Sequence, residues 1–303
     1  QAYRLDDWWP PSGAGMWPGT FWNINDGQRD RYALFGEWEG KAGQHWTHSL
    51  GLRHETVKMD TGDVRGYNTA VAAGGNQFRD MTAFNALDRD KTDHNWDLSW
   101  LGRYEPSLTQ SYEIGLAQKT RSPNLYERYT WSTWTMAAVM NNFVGDGNGY
   151  IGNVDLKPEV AHTLSLSADW HDANQENWGI KVTPYYTHVR DFIDAVQWDA
   201  TANTPAAVPV SNAFTVLKYA NQSARLYGID VSGHVRLAKG TGYGDLGASG
   251  VVSYSRGENR DTGDNLYNIM PLNAKLALTQ TTGAWRNTLE GQFVAGKKEV
   301  SRV

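Results

Sequence analysis

The stretch NWDLSWLGRYE, residues 95–105, contains the pattern that decides the fold. Its odd-numbered positions are mostly polar, whereas its even-numbered positions are mostly apolar and run from Trp96 to Tyr104. A repeat of two places successive side chains on opposite faces of a β-strand, whereas a helix repeats near 3.6 residues. The stretch therefore predicts a strand with one apolar face and an aromatic side chain at each end of that face.

The same alternation recurs along the chain. It is present in residues 112–119, 163–170, 178–186, 227–237, 272–278 and 285–293. We expect about ten such strands of roughly 9 to 14 residues, which is long for a soluble protein and typical of strands that cross a bilayer obliquely. The sequence therefore predicts an all-β protein, an antiparallel transmembrane outer-membrane β-barrel.

The connections between these strands alternate in length. The short ones, which are rich in turn-forming residues, are 41–44, 105–109, 171–177, 238–242 and 281–284. The long ones are 59–93, 120–158, 199–213 and 255–269. Short turns on one side and long loops on the other are typical of outer-membrane barrels, with the long loops outside the cell. We expect no helix longer than a turn or two, and residues 10–15 indicate a loop near the N-terminus.

Composition excludes several functional classes. The net charge of -5 gives no basic surface for nucleic acid, so we expect no nucleic-acid partner. The chain has 0 cysteines, which excludes disulfides and thiolate chemistry. No apolar run approaches the roughly 20 residues of a membrane helix. Neither an H-E-x-x-H nor a G-x-S-x-G motif is present, and we do not expect an enzyme.

The long connection at residues 120–158 contains the candidate ligand residues. Met136 and Met140 are metal candidates, because two thioethers four residues apart suit a soft ion such as Cu(I). Alternatively, they pack against Trp131 and Trp134. These tryptophans either anchor the loop or contact a ligand, and residue type favours the structural role.

Asp146 and Asn148 lie in a glycine-rich segment of the same connection and are further ligand-loop candidates. Their spacing partly matches a calcium-binding loop. Tyr150 stands where another oxygen ligand is required, so the acidic series is broken and a plain loop tip is the preferred interpretation.

Two motifs flank this segment: R-S-P-x-L-x-E-x-Y at residues 121–129 and G-N-x-x-L-K-P-E at residues 152–159. Together they resemble the mid-barrel region of TonB-dependent outer-membrane receptors. Residues 227–230 and 270–273 are similar to two later segments of that family, and the order along the chain agrees. The matching residues are Arg121, Pro123, Leu125, Glu127, Tyr129, Asn153, Leu156, Lys157, Pro158 and Glu159.

The resemblance implies a barrel of about 22 strands with a plug inside it, in the bacterial outer membrane. Residues 1–303 then form part of the barrel domain, without the plug and the first and last strands. The implied partners are TonB, reached through an N-terminal segment outside this chain, outer-membrane lipid, and an extracellular metal or metal chelate. The sequence at residues 126–131 and 145–150 looks most like that of the copper-receptor branch, so the implied cargo is a copper ion, with no resident cofactor.

Three alternatives remain open at this point. The first keeps the family but changes the cargo to a ferric siderophore or cobalamin. The second is a passive porin or structural barrel. The third is a soluble carbohydrate-binding β protein whose aromatic side chains stack on sugars.

In the barrel, alternate side chains have different surroundings. We expect one set to face the lumen: Arg103, Glu113, Lys119, Asp230 and Arg236. We expect an aromatic set at the lipid interface: Trp96, Trp100, Tyr104, Trp170 and Trp178.

Overall fold

The computed structural model describes residues 1–11, 19–67, 71–206 and 214–301, with the backbone alone for residues 71–75. The strands are β1 (Ala2–Trp9), β2 (Phe21–Ala42), β3 (Trp46–Asp60), β4 (Lys91–Ser107), β5 (Gln110–Arg121), β6 (Gly149–Ile151), β7 (Glu159–His171), β8 (Trp178–Asp199), β9 (Thr204–Pro205), β10 (Val216–Thr241), β11 (Gly244–Asn259), β12 (Asn273–Thr282) and β13 (Trp285–Val294). The helices are α1 (Val71–Asn85), α2 (Leu125–Tyr129) and α3 (Thr135–Met140).

All thirteen strands belong to one sheet. The long strands pair antiparallel with their neighbours in chain order, from β1 at one edge to β13 at the other, while β6 pairs in parallel with β10 and β9 pairs with β8. In the part of the chain that the structure describes, these two edges do not meet, so the sheet is an open section of a barrel. The predicted antiparallel all-β class is confirmed.

The register of the strands aligns the apolar positions across the sheet. Leu50 is opposite Trp100, Trp100 is opposite Leu116, and Leu116 is opposite Leu164. We call this face the outer face, and the opposite one the inner face. Arg103 and Glu113 are cross-strand partners on the inner face, where their side chains form an ion pair at 2.8 Å.

Aromatic side chains lie at two levels of the outer face. On β4 these levels are occupied by Trp96 and Tyr104, and on β8 by Tyr186 and Trp178. In each strand the two aromatic residues are eight positions apart. The indole N–H of Trp170 donates to the Tyr112 hydroxyl (3.1 Å) at the level of the short turns.

The connections have the predicted lengths, with the short turns at one end of the sheet and the long segments at the other. We call these the turn end and the loop end. No helix among the described residues is long and apolar enough to span a membrane.

Two predictions about local structure are wrong, one about helices and one about strand length. The predicted loop at residues 10–15 is neither of these, because it follows the end of β1 and its residues 12–15 lie outside the described part. Helix α1 has 15 residues, because contacts from elsewhere stabilise it despite its weak helical pattern. For example, Asp80 accepts hydrogen bonds from the Thr133 amide (2.8 Å) and hydroxyl (2.6 Å).

Several strands exceed the predicted length, since β2 and β8 have 22 residues and β10 has 26. Their additional residues lie at the loop end and continue the pairing there, as between Val216 and Trp198. Alternation of apolar and polar residues is lost in this part, because loops cover the inner face.

Candidate functional site

The loop end of the inner face is covered by a compact structure, which we call the cap (residues 61–67, 71–90 and 122–158). The cap has its own hydrophobic core with β2 and β3. Trp131 stacks on Phe21 with ring centroids 5.1 Å apart, and Trp134 meets the edge of Tyr67 at 5.8 Å. Trp131 is only 6% exposed, and its indole N–H donates to the Trp22 carbonyl (3.0 Å). Trp131 thus holds the cap on the strands.

The first motif folds as a bend followed by α2. Asn124 caps the helix reciprocally with Glu127: the Asn124 side chain accepts from the Glu127 amide, and the Glu127 carboxylate accepts from the Asn124 amide, both at 2.8 Å. Leu125 and Tyr129 enter the core, Pro123 is buried, and the Tyr129 hydroxyl donates to the Arg89 carbonyl (2.7 Å).

Arg121 joins the two motifs. Its guanidinium contacts Glu127 at 2.9 Å and Glu159 at 2.7 Å. The other oxygen of Glu159 accepts a hydrogen bond from the Ile193 amide of β8 (2.8 Å). One arginine and two carboxylates therefore link both ends of the cap segment to the strands.

The second motif packs beneath the first. The Gly152 amide donates to the Thr130 carbonyl (2.7 Å), and the Asn153 amide donates to the Glu127 carbonyl (2.9 Å). Leu156 is 3% exposed. The Lys157 amide donates to the Asn221 side chain of β10 (2.8 Å), and Pro158 leads into β7.

A buried ion pair joins α2 to β4. Arg128 and Asp93 are in contact at 2.9 Å, with side chains 2% and 8% exposed. The same guanidinium nitrogen donates to the Leu156 carbonyl (2.8 Å). Sequence reasoning missed this pair, because Asp93 lies on β4, 35 residues from Arg128, and no local spacing links two residues that far apart.

The two candidate methionines lie on α3, one helical turn apart. Met136 is 39% exposed and Met140 is 48% exposed, whereas Ala137 and Ala138 of the same helix are buried. The thioethers are therefore accessible. Among the described residues, no group of three or more His, Asp or Glu side chains is arranged to hold a metal ion.

Asp146 closes its loop with four internal hydrogen bonds. One carboxylate oxygen accepts from the Asn142 side chain and the Asn148 amide, both at 3.0 Å. The other accepts from the Asn148 side chain (3.1 Å) and the Tyr150 hydroxyl (2.6 Å). Burial raises the pKa of Tyr150, and its hydrogen bond to Asp146 raises it further. Tyr150, which interrupts the calcium-loop pattern, is thus a donor that stabilises the loop.

A cavity of about 480 Å³ opens between this loop and the loop ends of β8, β10 and β11. Phe143, Tyr150 and Tyr219 supply aromatic surface, and Asp146 and Asp194 supply carboxylates. An open aromatic cavity with a few polar groups suits an organic ligand or a chelate better than a bare ion. Sequence reasoning assigned only Asp146 to this neighbourhood, because much of the remaining lining comes from β8, β10 and the loop at residues 262–269, which are distant in sequence.

Comparison with known proteins identifies the family. The family described as TonB dependent receptor-like, beta-barrel, matches residues 1–301. The chain belongs to this family. Its members are bacterial outer-membrane receptors and transporters and not enzymes, which confirms the predicted location and the absence of an enzymatic role. The passive porin and the soluble carbohydrate-binding protein are therefore not supported.

Solved structures show the same fold. The copper transporter OprC matches with a TM-score of 0.64 and 17% identity, over 96% of this chain and 37% of that chain. The hemophore receptor HasR of Serratia marcescens matches with a TM-score of 0.61 and 12% identity, over 90% of this chain and 45% of that chain. The FrpB iron transporter of Neisseria meningitidis matches with a TM-score of 0.57 and 13% identity, over 89% of this chain and 34% of that chain. The chain spans less than half the length of each. No curated protein matches the chain.

Proposed function

We propose that the chain is the middle and later part of a receptor that imports a scarce metal ion or metal chelate across the outer membrane. In this proposal the cap and its cavity capture the ligand, a plug gates the lumen, and TonB supplies energy from the inner membrane. The observation that carries the proposal is the family match over residues 1–301, together with a folded cap over the inner face at the loop end.

Copper is the proposed cargo. Its support is the pair of exposed thioethers on α3, Met136 and Met140, since soft sulfur ligands prefer a soft monovalent ion. Two thioethers alone leave the coordination of Cu(I) incomplete. The methionines would therefore act as a first contact that passes the ion inward, and they would not form the tight site.

A ferric siderophore or cobalamin is the second candidate, and the cavity beside Asp146 favours it. Such ligands are organic and much larger than a metal ion. The aromatic side chains Phe143, Tyr150 and Tyr219 offer the surface that an organic chelate requires.

The test is radioactive uptake by cells that carry the intact receptor, comparing copper with ferric chelates. We expect TonB-dependent copper uptake, reduced about tenfold at limiting copper when Met136 and Met140 are both changed to Ala. The matched control is Met270→Ala, which removes another exposed thioether (55% exposed) from a different loop. Unchanged copper uptake in the double variant would remove these methionines from the pathway, and uptake of ferric chelate alone would favour the second candidate.

Retained uptake after loss of TonB would contradict the proposed function itself. It would show passive diffusion instead of energised import.

A further inference from the structure

A row of polar side chains crosses the outer face near the loop end. Gln118 of β5 is opposite His162 of β7, His162 is opposite His188 of β8, and His188 is opposite Arg225 of β10. His162 Nε2 lies 3.2 Å from the Gln118 side-chain oxygen. We call these four residues the histidine row. Four neighbouring strands thus present imidazole, guanidinium and amide groups side by side across the sheet.

The surroundings place this row just above the apolar part of the outer face. Two residues closer to the turn end, Leu164 and Tyr186 are 42% and 43% exposed and lie directly opposite each other. On the inner face at the level of the row, Val189 and Ala224 are buried against Leu266 of a long loop.

Nearer the turn end, apolar side chains point outward and polar ones inward. Here the arrangement is reversed, with apolar side chains inward and polar side chains outward. Such an inversion is expected where a strand leaves the hydrocarbon and enters the headgroup region, because the outward side chains there meet polar groups.

Arg190 adds a charge to the row. It follows His188 by two positions on the same face, is exposed, and makes no ion pair among the described residues. Arg225 pairs with Glu258, its partner on β11, through two guanidinium nitrogens at 2.7 and 2.5 Å, so that its third nitrogen and Arg190 are the guanidinium groups left for another acceptor. Together with the imidazoles they provide several N–H donors on one surface, and the guanidinium geometry matches phosphate oxygens.

The turn end of the outer face differs in chemistry. At that level the same strands carry Tyr112, Trp170, Trp178 and Val235, which are aromatic or aliphatic. Aromatic side chains lie at the membrane interface whatever the charge of the lipid headgroups, whereas clustered cationic side chains bind anionic headgroups preferentially. On these four strands, charge is therefore offered to the leaflet on the loop side.

We propose that the histidine row and Arg190 bind the phosphate of a lipid headgroup in the leaflet on the loop side of the membrane. The charge complementarity and the apolar belt directly beneath the row carry this inference. A lipid seated there places its acyl chains along Leu164 and Tyr186 and its phosphate beside Arg190. The inference does not depend on which cargo the receptor imports.

The experiment uses the full-length receptor purified in detergent and titrated with diphosphorylated lipid A, with binding followed by native mass spectrometry. The same lipid without its phosphates is the second probe. We expect removal of the phosphates to weaken binding about tenfold. We expect Arg190→Gln to weaken binding of the phosphorylated lipid about fivefold, as for one cation at an anionic surface. The double change His162→Gln and His188→Gln should weaken it further.

The matched control is His234→Gln with Arg236→Gln, which removes the same residue types from the inner face of β10. This control should leave lipid binding unchanged. Arg190 has no ion-pair partner among the described residues, so its replacement should not affect folding, which circular dichroism can verify.

Three results would overturn the inference: equal affinity for both lipids, unchanged binding in Arg190→Gln, or an equal loss in the inner-face control. Displacement of the lipid by an equal concentration of inorganic phosphate would also overturn it, because the row would then be a site for small anions.

Discussion

The membrane-crossing strands and the cap use the same residue types with different consequences. On the strands, Arg103 pairs with Glu113 on an inner face where the arginine is 47% exposed. Arg128 of the cap pairs with Asp93 of β4, and both side chains are at least nine-tenths buried. An exposed ion pair contributes little to stability, whereas removing one partner of a buried pair leaves an uncompensated charge. The stability of the cap is therefore more sensitive to loss of its ion pair than the stability of the strands is to loss of theirs.

The largest expected effect is that of Arg128→Ala. The change leaves Asp93 buried without its cation and the Leu156 carbonyl without its donor. We expect a loss of about 3 to 5 kcal/mol, which would unfold the cap while the strands remain paired. Limited proteolysis of the intact receptor should then cut within residues 122–158.

Arg103→Ala is the control for this prediction on the strands. We expect a change within about 1 kcal/mol and no new cleavage site. Equal protease resistance of both variants would break the comparison, because burial would then not distinguish the two ion pairs.

An intermediate effect is expected for Gly152→Ala. A Cβ at Gly152 would lie 2.7 Å from the Thr130 carbonyl oxygen and 2.8 Å from the Arg128 carbonyl carbon and oxygen, all of them backbone atoms. We expect a cost of about 1 to 3 kcal/mol, as for other overpacked sites, and a lower melting temperature of the cap. Gly36→Ala is the control on β2, where nothing lies within 4 Å of the added atom, and its melting temperature should not fall.

The smallest effect is expected for Tyr150→Phe, which removes one donor to Asp146. Loss of one hydrogen bond costs about 1 kcal/mol. Tyr186→Phe on β8 is the control, since Tyr186 is exposed on the outer face and should tolerate the change. Hydrogen exchange of the residue 145–150 amides is the measurement, and equal protection in wild type and Tyr150→Phe would contradict the prediction.

Alkaline pH offers a second measurement of the same contact. The pKa of Tyr150 is raised in the folded protein, first by burial and then by Asp146. The stability contributed by its hydroxyl is therefore fully present below the ordinary tyrosine pKa of about 10 and is lost as the pH rises through the higher folded value. Wild type should lose protection at residues 145–150 only above pH 10, and the Phe variant should show no such step.

The strands could be predicted from the sequence because their environment repeats every two residues. Trp96, Leu98 and Trp100 alternate with Asp97 and Ser99, and this alternation alone assigns both faces. The turns and the long connections followed from the same alternation. The two motifs around residues 121–129 and 152–159 identified the family.

The cap could not be predicted in the same way, because its core joins residues that are distant in sequence. Phe21 stacks on Trp131, and Asp80 of α1 accepts from Thr133. No local period marks such contacts. Strand β1 was not predicted, and α1 was missed because Gly74 and Gly75 weaken its helical propensity.

The eight-residue spacing between the aromatic levels of the outer face determines the bilayer that fits this protein. A strand rises about 3.3 Å per residue, so eight residues cover about 26 Å along the strand. At a tilt of about 40°, this corresponds to a hydrocarbon thickness of about 20 Å. A thicker membrane would draw Arg190 and the histidine row into hydrocarbon, at a cost that increases with depth. Hydrophobic mismatch would therefore retain the receptor in a thin membrane, independently of any sorting signal.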